Sequence, residues 1–590
     1  AAGPIRASYS YYNTSSTLVS FTAANITKET LALDNSAIIP SGLVYDFDQD
    51  NDVDDTDAHW VMNWVKGYEL GTTVKREWVL DPIDHSVPAV LTAPGLPMWY
   101  FGTATTKQER DSFKQFMLDN ANRRAVVFVG SRSGMLHAFD AGAFRHGDNT
   151  CTTGVEENRG YFDWGTNCAV GPDYGTGEEL WAFIPANLLP RLKNNLLARL
   201  NKARTADYNQ AYVDASPALS DVYINGAWRT VLLSAEGNGG DTVFCLDVTD
   251  PYHPTFLWEF ADPDLFRSRS SPSIAKIGRI VLNGVAKWVA FFVSGNDDRY
   301  DRTQYPSVYM IDVGTGELLR RIMLDCESSG IGGVPSGQPA VIDSDGNGYI
   351  DRFYIGTDKG YLYKVNIPDD PNSLKYSISQ CVINRDFSQP TSEEVPADRR
   401  YQPIYGSPVV SVDNSVNESG NIDYNVLIFY GTGDSPYYAE DINMSGTRYY
   451  FFAYADHAEK GTCNESLVSL DWFYELPEGH RVFTSAFSAA GLIYFGTSTA
   501  DTEDPCAEDS VNNNNGEIFA FSMHQATPAA TPAFRQRVGN VVASPMVEAQ
   551  HLYVKGLGLG LQSFGSGIYN NQVLTGGWPE IDIRLWREVF

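Results

Sequence analysis

Asp343-Ser344-Asp345-Gly346-Asn347-Gly348-Tyr349-Ile350-Asp351 lies between two short apolar runs, Pro339-Ala340-Val341-Ile342 and Phe353-Tyr354-Ile355. Asp343, Asp345, Asn347 and Asp351 put side-chain oxygens at positions 1, 3, 5 and 9, and Tyr349 offers a backbone carbonyl at position 7. That alternation wraps hard-cation ligands around one Ca2+. Gly346 and Gly348 allow the tight turn, and Ile350 supplies the apolar anchor at position 8. An Asx-rich hairpin turn uses the same residue types, but it has no need of three converging carboxylates, which repel one another without a cation. Position 12 is Tyr354, where a helix-flanked calcium loop carries a carboxylate, so this loop is expected inside a sheet with no exiting helix.

Working outward, a second acidic stretch runs from Asp46 to Asp57. Asp46, Asp48, Asp50, Asp54 and Asp57 stand at positions 1, 3, 5, 9 and 12, with Asp52 at the carbonyl position, Asn51 at the turn and Val53 at the anchor. The apolar residues of Ala58 to Val65 then recur at helical spacing, as in one half of an EF-hand. Asp at position 12 resembles the loops of dockerin modules. A solvated acidic linker is the alternative, and a register two residues away is also open.

The rest is all-β and repetitive. A turn-like lead-in recurs as His85-Ser86-Val87-Pro88, Ala215-Ser216-Pro217, Ser271-Pro272, Gln338-Pro339, Gly406-Ser407-Pro408, Thr484-Ser485-Ala486 and Ala543-Ser544-Pro545. Behind it come an apolar strand, a Gly turn and a second strand, as in Val126 to Gly130 with Met135 to Asp140, or Val426 to Gly431 with Tyr450 to Tyr454. Seven lead-ins with irregular repeats of this size predict a seven-bladed β-propeller; paired β-sandwiches would not explain the recurring order. Helical patterns at Phe113 to Leu118 and Leu188 to Leu200 interrupt the long first unit. The expected organisation is an N-terminal extension with an EF-hand-like calcium loop over residues 1–75 and a modified propeller with helical and loop insertions over 76–590.

Lys and Arg total 43 against 73 Asp and Glu, a net charge of −30. That balance disfavours nucleic acid and anionic membranes as partners and suits divalent cations. No apolar run approaches a membrane span, and no signal-type apolar stretch begins the chain. The 7 Cys residues contain no C-x-x-C pair. Proximity predicts Cys151 with Cys168, Cys326 with Cys381 and Cys463 with Cys506, leaving Cys245 as a buried thiol. Such loop disulfides favour an exported protein.

Hydrolase, zincin and P-loop motifs are absent. Gly237-Asn238-Gly239-Gly240 reads as a hairpin, and His137 on its apolar strand reads as a structural histidine without a nucleophile partner. No catalytic residue is assigned and the chain is not expected to be an enzyme. The enzyme alternative is a quinoprotein dehydrogenase, because Thr176 to Trp181 and Thr315 to Leu318 resemble tryptophan-docking repeats. Those enzymes carry a docking Trp in most blades and often a vicinal Cys pair, a pattern not seen here. A calcium-stabilised surface lectin is a third reading.

Arg124 to Gly130 with Gly134-Met135-Leu136-His137-Ala138-Phe139-Asp140-Ala141, Leu180 to Pro185, Tyr212 to Pro217, Leu246-Asp247-Val248-Thr249-Asp250-Pro251, Gly337 to Asp351 and Leu585 to Glu588 carry a more specific likeness. Together they resemble the C-terminal propeller of the PilC/PilY-type proteins of type IV pili over most of residues 76 to 590. The resemblance implies a pilus biogenesis factor and adhesin, exported and located at the cell surface, pilus tip or outer membrane. Its partners would be pilins and minor pilins, with a host or surface receptor that the sequence does not name. It also implies calcium at Asp343, Asp345, Asn347, Tyr349 and Asp351, whose occupancy governs pilus extension against retraction. The von Willebrand-like region of some members has no counterpart here, and no Arg-Gly-Asp occurs.

Overall fold

The computed structural model describes residues 9–12, 18–34, 38–39, 42–149, 151–152, 160–165, 168, 170–200, 210–268, 276–295, 306–326, 330–331, 333–335, 337–371, 379–384, 402–416, 422–433, 448–457, 460–461, 463–499, 514–525, 527–541, 543–548, 551–556 and 560–564. Among these, seven sheets of three or more strands follow one another in a propeller-like series. The first joins Ala89–Leu91, Val126–Gly130, Leu136–Asp140 and Glu179–Phe183. The N-terminal strand Tyr9–Tyr12 extends this sheet, running parallel to Glu179–Phe183. The second to sixth are four-stranded, antiparallel and in chain order. Val409–Val416, Ile422–Gly431, Tyr450–Asp456 and Val468–Glu475 make the fifth, and Met546–Glu548, His551–Gly556 and Gly560–Phe564 the seventh.

The near-continuous apolar runs of the inner strands are buried on both faces, so the core lies between sheets. One cluster joins Phe291 and Met310 of the third sheet to Phe353 and Val365 of the fourth. The next joins Tyr354 and Leu362 to Val426 and Tyr450 of the fifth, and further clusters join the fifth to the sixth and the sixth to the seventh. At about 25 cal/mol per Å2 of apolar surface removed from water, these seams carry most of the favourable energy.

Two kinds of side-chain tie recur at the seams. The lead-in serines tie consecutive units: Ser216 Oγ accepts from Val87 N at 2.9 Å, Ser407 Oγ from Gln338 N at 2.8 Å and Ser485 Oγ from Ser407 N at 2.8 Å. Ser271 and Pro272 lie outside the described residues. The fourth strands of the first, second and fifth sheets each bury a Trp. Their indole N–H groups donate to carbonyls beside the following sheet, Trp181 to Pro251 O, Trp258 to Val313 O and Trp472 to Met523 O, at 2.7, 2.7 and 2.9 Å. A register shift accompanies each of the three, and such a bulge re-aims a side chain off the strand.

The helical patterns appear as α1 (Asp55–Val65), α2 (Lys107–Asp119) and α3 (Leu192–Arg199). α1 packs Ala58, Val61 and Met62 into the same apolar cluster as Leu192, Leu196 and Phe183. Gly237–Gly239 is a tight turn between two strands, as the hairpin reading predicts.

Cys151 bonds to Cys168 and Cys245 is a buried free thiol, both as expected. The other predicted pairs are corrected. Cys381 bonds to Cys463, across 82 residues, and not to Cys326; Cys506 lies outside the described residues. Proximity in sequence misled because Cys381 lies in the fourth strand of the fourth sheet, while Cys463 lies between the third and fourth strands of the fifth. Replacing both Cys381 and Cys463 by Ser is expected to lower stability by about 2–4 kcal/mol, read as a fall in the denaturant midpoint under non-reducing conditions and no difference from wild type under reducing ones.

Candidate metal loops and the ion network behind them

Asp343–Asp351 connects the first two strands of the fourth sheet, and it shares its backbone frame with Asp46–Asp54. Positions 4 and 6 adopt positive φ in both, Gly346 at 67° and Gly348 at 97° against Gln49 at 66° and Asn51 at 72°. Glycine meets that geometry without cost, whereas Gln49 and Asn51 enter it against the usual side-chain preference.

The hydrogen bonds correspond one by one. Asp343 Oδ1 accepts from Asn347 N at 3.0 Å and Asp343 Oδ2 from Gly348 N at 2.6 Å. In the other loop Asp46 Oδ1 accepts from Asp50 N at 3.1 Å and Asp46 Oδ2 from Asn51 N at 3.0 Å. Position 3 repeats the match, with Asp345 and Asp48 each accepting from the N–H of position 5 at 3.1 and 3.4 Å. At position 5, Asn347 and Asp50 accept from the N–H of position 7 at 2.8 and 2.9 Å. The anchors Ile350 and Val53 are half-buried and buried respectively.

The loops close differently. In the first, the position 2 N–H, from Phe47, donates to Asp57 Oδ1 at 2.5 Å. Asp54 and Asp57 also form the capping box of α1. In the second, with no helix, Asp351 does this work, its Oδ2 accepting from Ser344 N and Ser344 Oγ, both at 2.8 Å. Accordingly Asp343, Asp345 and Asp351 bring one oxygen each to within 4.8 Å of one another, as do Asp46, Asp48 and Asp50. Oxygens bound to one Ca2+ at 2.3–2.6 Å have such separations, so both donor sets fit a hard cation. Asn347 and Tyr349 stay in the turn of the second loop; Asp52 and Asp54 lie outside the first loop's carboxylate trio, and Asp57 stands behind it.

Burial, and then the neighbouring Asp345, push the Asp343 carboxyl up. Burial acts on Asp345 too, but the Lys460 ammonium beside it holds its carboxyl below the ordinary range. Asp48 is raised by desolvation and by the Asp50, Asp46 and Asp54 charges. Burial likewise raises Asp57.

Behind Asp351 lies a network that spacing could not reveal. Arg352 Nε donates to Asp351 Oδ1 at 3.0 Å, and its NH1 donates to Asp456 Oδ2 at 3.2 Å. The same oxygen accepts from Tyr354 OH at 2.5 Å and lies 2.7 Å from Lys364 Nζ. All five residues are buried. Two carboxylates thus meet one guanidinium and one ammonium, and charge balance makes such burial tolerable. Asp456 ends a strand of the fifth sheet, so the network crosses a seam.

On its other side the loop meets the insertion that carries α2. Thr103 N donates to Gly346 O at 3.0 Å and Ala104 N to Asn347 O at 3.1 Å. A Cβ on Gly102 would sit 2.5 Å from Gly348 Cα, so only glycine allows this approach. Arg279 completes the brace. Its guanidinium lies over Trp99 at 4.9 Å and Tyr349 at 4.5 Å, and it donates to Glu109 Oε1 at 2.7 Å and to Tyr349 OH at 2.9 Å.

Two other clusters stand elsewhere. His85 Nδ1 lies 2.8 Å from Asp214 Oδ2, which also accepts from Asn238 Nδ2 at 2.7 Å, while Asp84 pairs with Arg132 at 3.4 Å. His137 does have a hydroxyl partner: Ser131 Oγ is 2.8 Å from Nε2, and Glu179 Oε1 is 2.6 Å from Nδ1. The order is that of a hydrolytic triad. All three side chains are buried, however, so the relay ties the 131–135 turn to two strands and leaves a substrate no approach.

A family model described as the PilY1 beta-propeller domain matches residues 169–471, just over half of the chain. A type IV pilus biogenesis factor PilY1 of Pseudomonas aeruginosa is 28% identical over 335 residues, covering 55% of this chain and 24% of the relative. A PilY1 homolog of Xylella fastidiosa is 28% identical over 355 residues, covering 56% and 20%. The chain therefore spans about a quarter of the length of the curated relatives it matches. The crystal structure of the P. aeruginosa PilY1 C-terminal domain aligns with a TM-score of 0.47 at 19% identity, over 77% of this chain and 95% of that one.

Replacing Asp456 by Ala strands Arg352 and Lys364 without their shared partner. The expected cost is about 3–5 kcal/mol, measured as a lowered unfolding midpoint, with Asp456→Asn losing less because it keeps an acceptor.

Proposed function

The chain belongs to the PilY1 β-propeller family, and from that premise we propose that it acts in type IV pilus biogenesis and surface adhesion, binding calcium in both acidic loops. The seven sheets are its blades. The reading is that of a binding protein that works at the pilus, with pilins and minor pilins as partners and a receptor of unknown kind. Two disulfides suit export to an oxidising compartment. Among the described residues no helix is long and apolar enough to cross a membrane.

The observation that carries the calcium reading is the matched hydrogen-bond frame of the two loops, each with three converging carboxylates. Asp343, Asp345 and Asp351, with Asn347 and the Tyr349 carbonyl, would hold one ion; Asp46, Asp48 and Asp50, with the Asp52 carbonyl and the Asp54 and Asp57 carboxylates nearby, would hold the other. A bound Ca2+ would supply positive charge at the point where the three carboxylates of each loop converge. Asp351 then keeps Arg352 aligned toward Asp456 and the fifth sheet, while Gly346 and Asn347 keep their carbonyls toward Thr103 and Ala104. By this route the state of the loop reaches both a blade seam and the α2 insertion, and pilus extension against retraction would follow it.

The test replaces Asp351 by Asn in the full-length protein and scores surface pili with and without the retraction motor. Pili lost in the first background and restored in the second are the expected outcome. Unchanged piliation in both would overturn the regulatory reading.

A further inference from the structure

We propose that Lys460 is a built-in counter-cation that sets how tightly the 343–351 loop takes calcium. The inference rests on the reading of that loop as a calcium site and adds a residue outside it. The two acidic loops share a hydrogen-bond frame, yet they differ in what faces their position 3 carboxylate. Lys460 Nζ lies 2.8 Å from Asp345 Oδ2 and 2.8 Å from Asp369 Oδ1. In the Asp46–Asp57 loop, Lys28 instead gives its ammonium to the Val53 carbonyl at 3.4 Å.

The placement of Lys460 is imposed from both ends. Asp456, four residues earlier, is locked into Arg352, Tyr354 and Lys364 of the fourth sheet. Cys463, three residues later, is bonded to Cys381 of the same sheet. Lys460, between these two anchors, is therefore held against the 343–351 loop, and its side chain, 21% exposed, is largely enclosed. Asp369 gives its ammonium a second carboxylate to hold when Asp345 turns to a metal.

Two consequences follow from charge. The ammonium neutralises part of the trio of carboxylates when no metal is present, which lowers the repulsion that would open the loop. It also repels a divalent cation and occupies one of its ligands, which weakens binding. Lys460 thus trades affinity for order without metal, and so places the loop in a range where calcium exchanges.

Calcium titration calorimetry of the full-length protein carrying Asp48→Asn, which disables the first loop, tests this. Lys460→Met, similar in length and uncharged, is expected to tighten calcium binding by about ten-fold; Lys460→Arg, which keeps the charge, is expected to stay near the parent. Asp351→Asn in the same background reports on the site itself. Binding abolished by Asp351→Asn but unchanged or weakened by Lys460→Met overturns the role of the lysine alone. Binding that survives Asp351→Asn at the parent affinity overturns the site reading, and the lysine's role with it.

Discussion

Everything around the fourth sheet depends on one buried carboxylate, Asp351. Its two oxygens face opposite tasks: one closes the loop through Ser344, the other holds Arg352 and, through it, Asp456 of the next sheet. A carboxylate in so dry a setting is tolerable only with all its acceptor sites engaged. One carboxylate thus couples the geometry of the loop, through Oδ2, to the packing of a seam, through Oδ1.

The seams themselves are assembled from short-range ties between consecutive units, apolar side chains between the sheets, serine hydroxyls at the lead-in turns and indole N–H groups at three outer strands. A series built this way passes a disturbance chiefly to its nearest neighbours. The 343–351 loop sits where the fourth and fifth sheets meet, and the α2 insertion reaches it from the first unit. On one side it meets the buried charge network, and on the other the backbone hydrogen bonds from Thr103 and Ala104, the close approach of Gly102 and the Arg279 brace.

Sequence reading reached whatever is local. The tight turns of the acidic loops, the strand pairs and the helix after Asp54 are properties of a few adjacent residues, and the structure places them as the pattern requires. The calcium ions themselves are a reading of that geometry. What spacing could not supply joins residues far apart in the chain: Cys381 to Cys463, Lys460 to Asp345, Asp456 to Arg352, and Thr103 to Gly346. A second miss was chemical. His137 gains its hydroxyl partner only on folding, which brings Ser131 to its Nε2. Of the three tryptophans only Trp181 lies in a stretch that resembles a docking repeat; Trp258 and Trp472 carry no such signal, and the carbonyls they bond lie beside the following sheet.

The central claim is that the two matched loops are both calcium sites. Native mass spectrometry of the full-length protein in calcium tests it most directly, comparing the parent with a variant in which Asp343 and Asp345 are both Asn and another in which Asp46 and Asp48 are. The account predicts one calcium ion lost from each variant relative to the parent, with the remaining ion retained. A parent that binds no calcium, or a variant that keeps the parent's full complement, would contradict it.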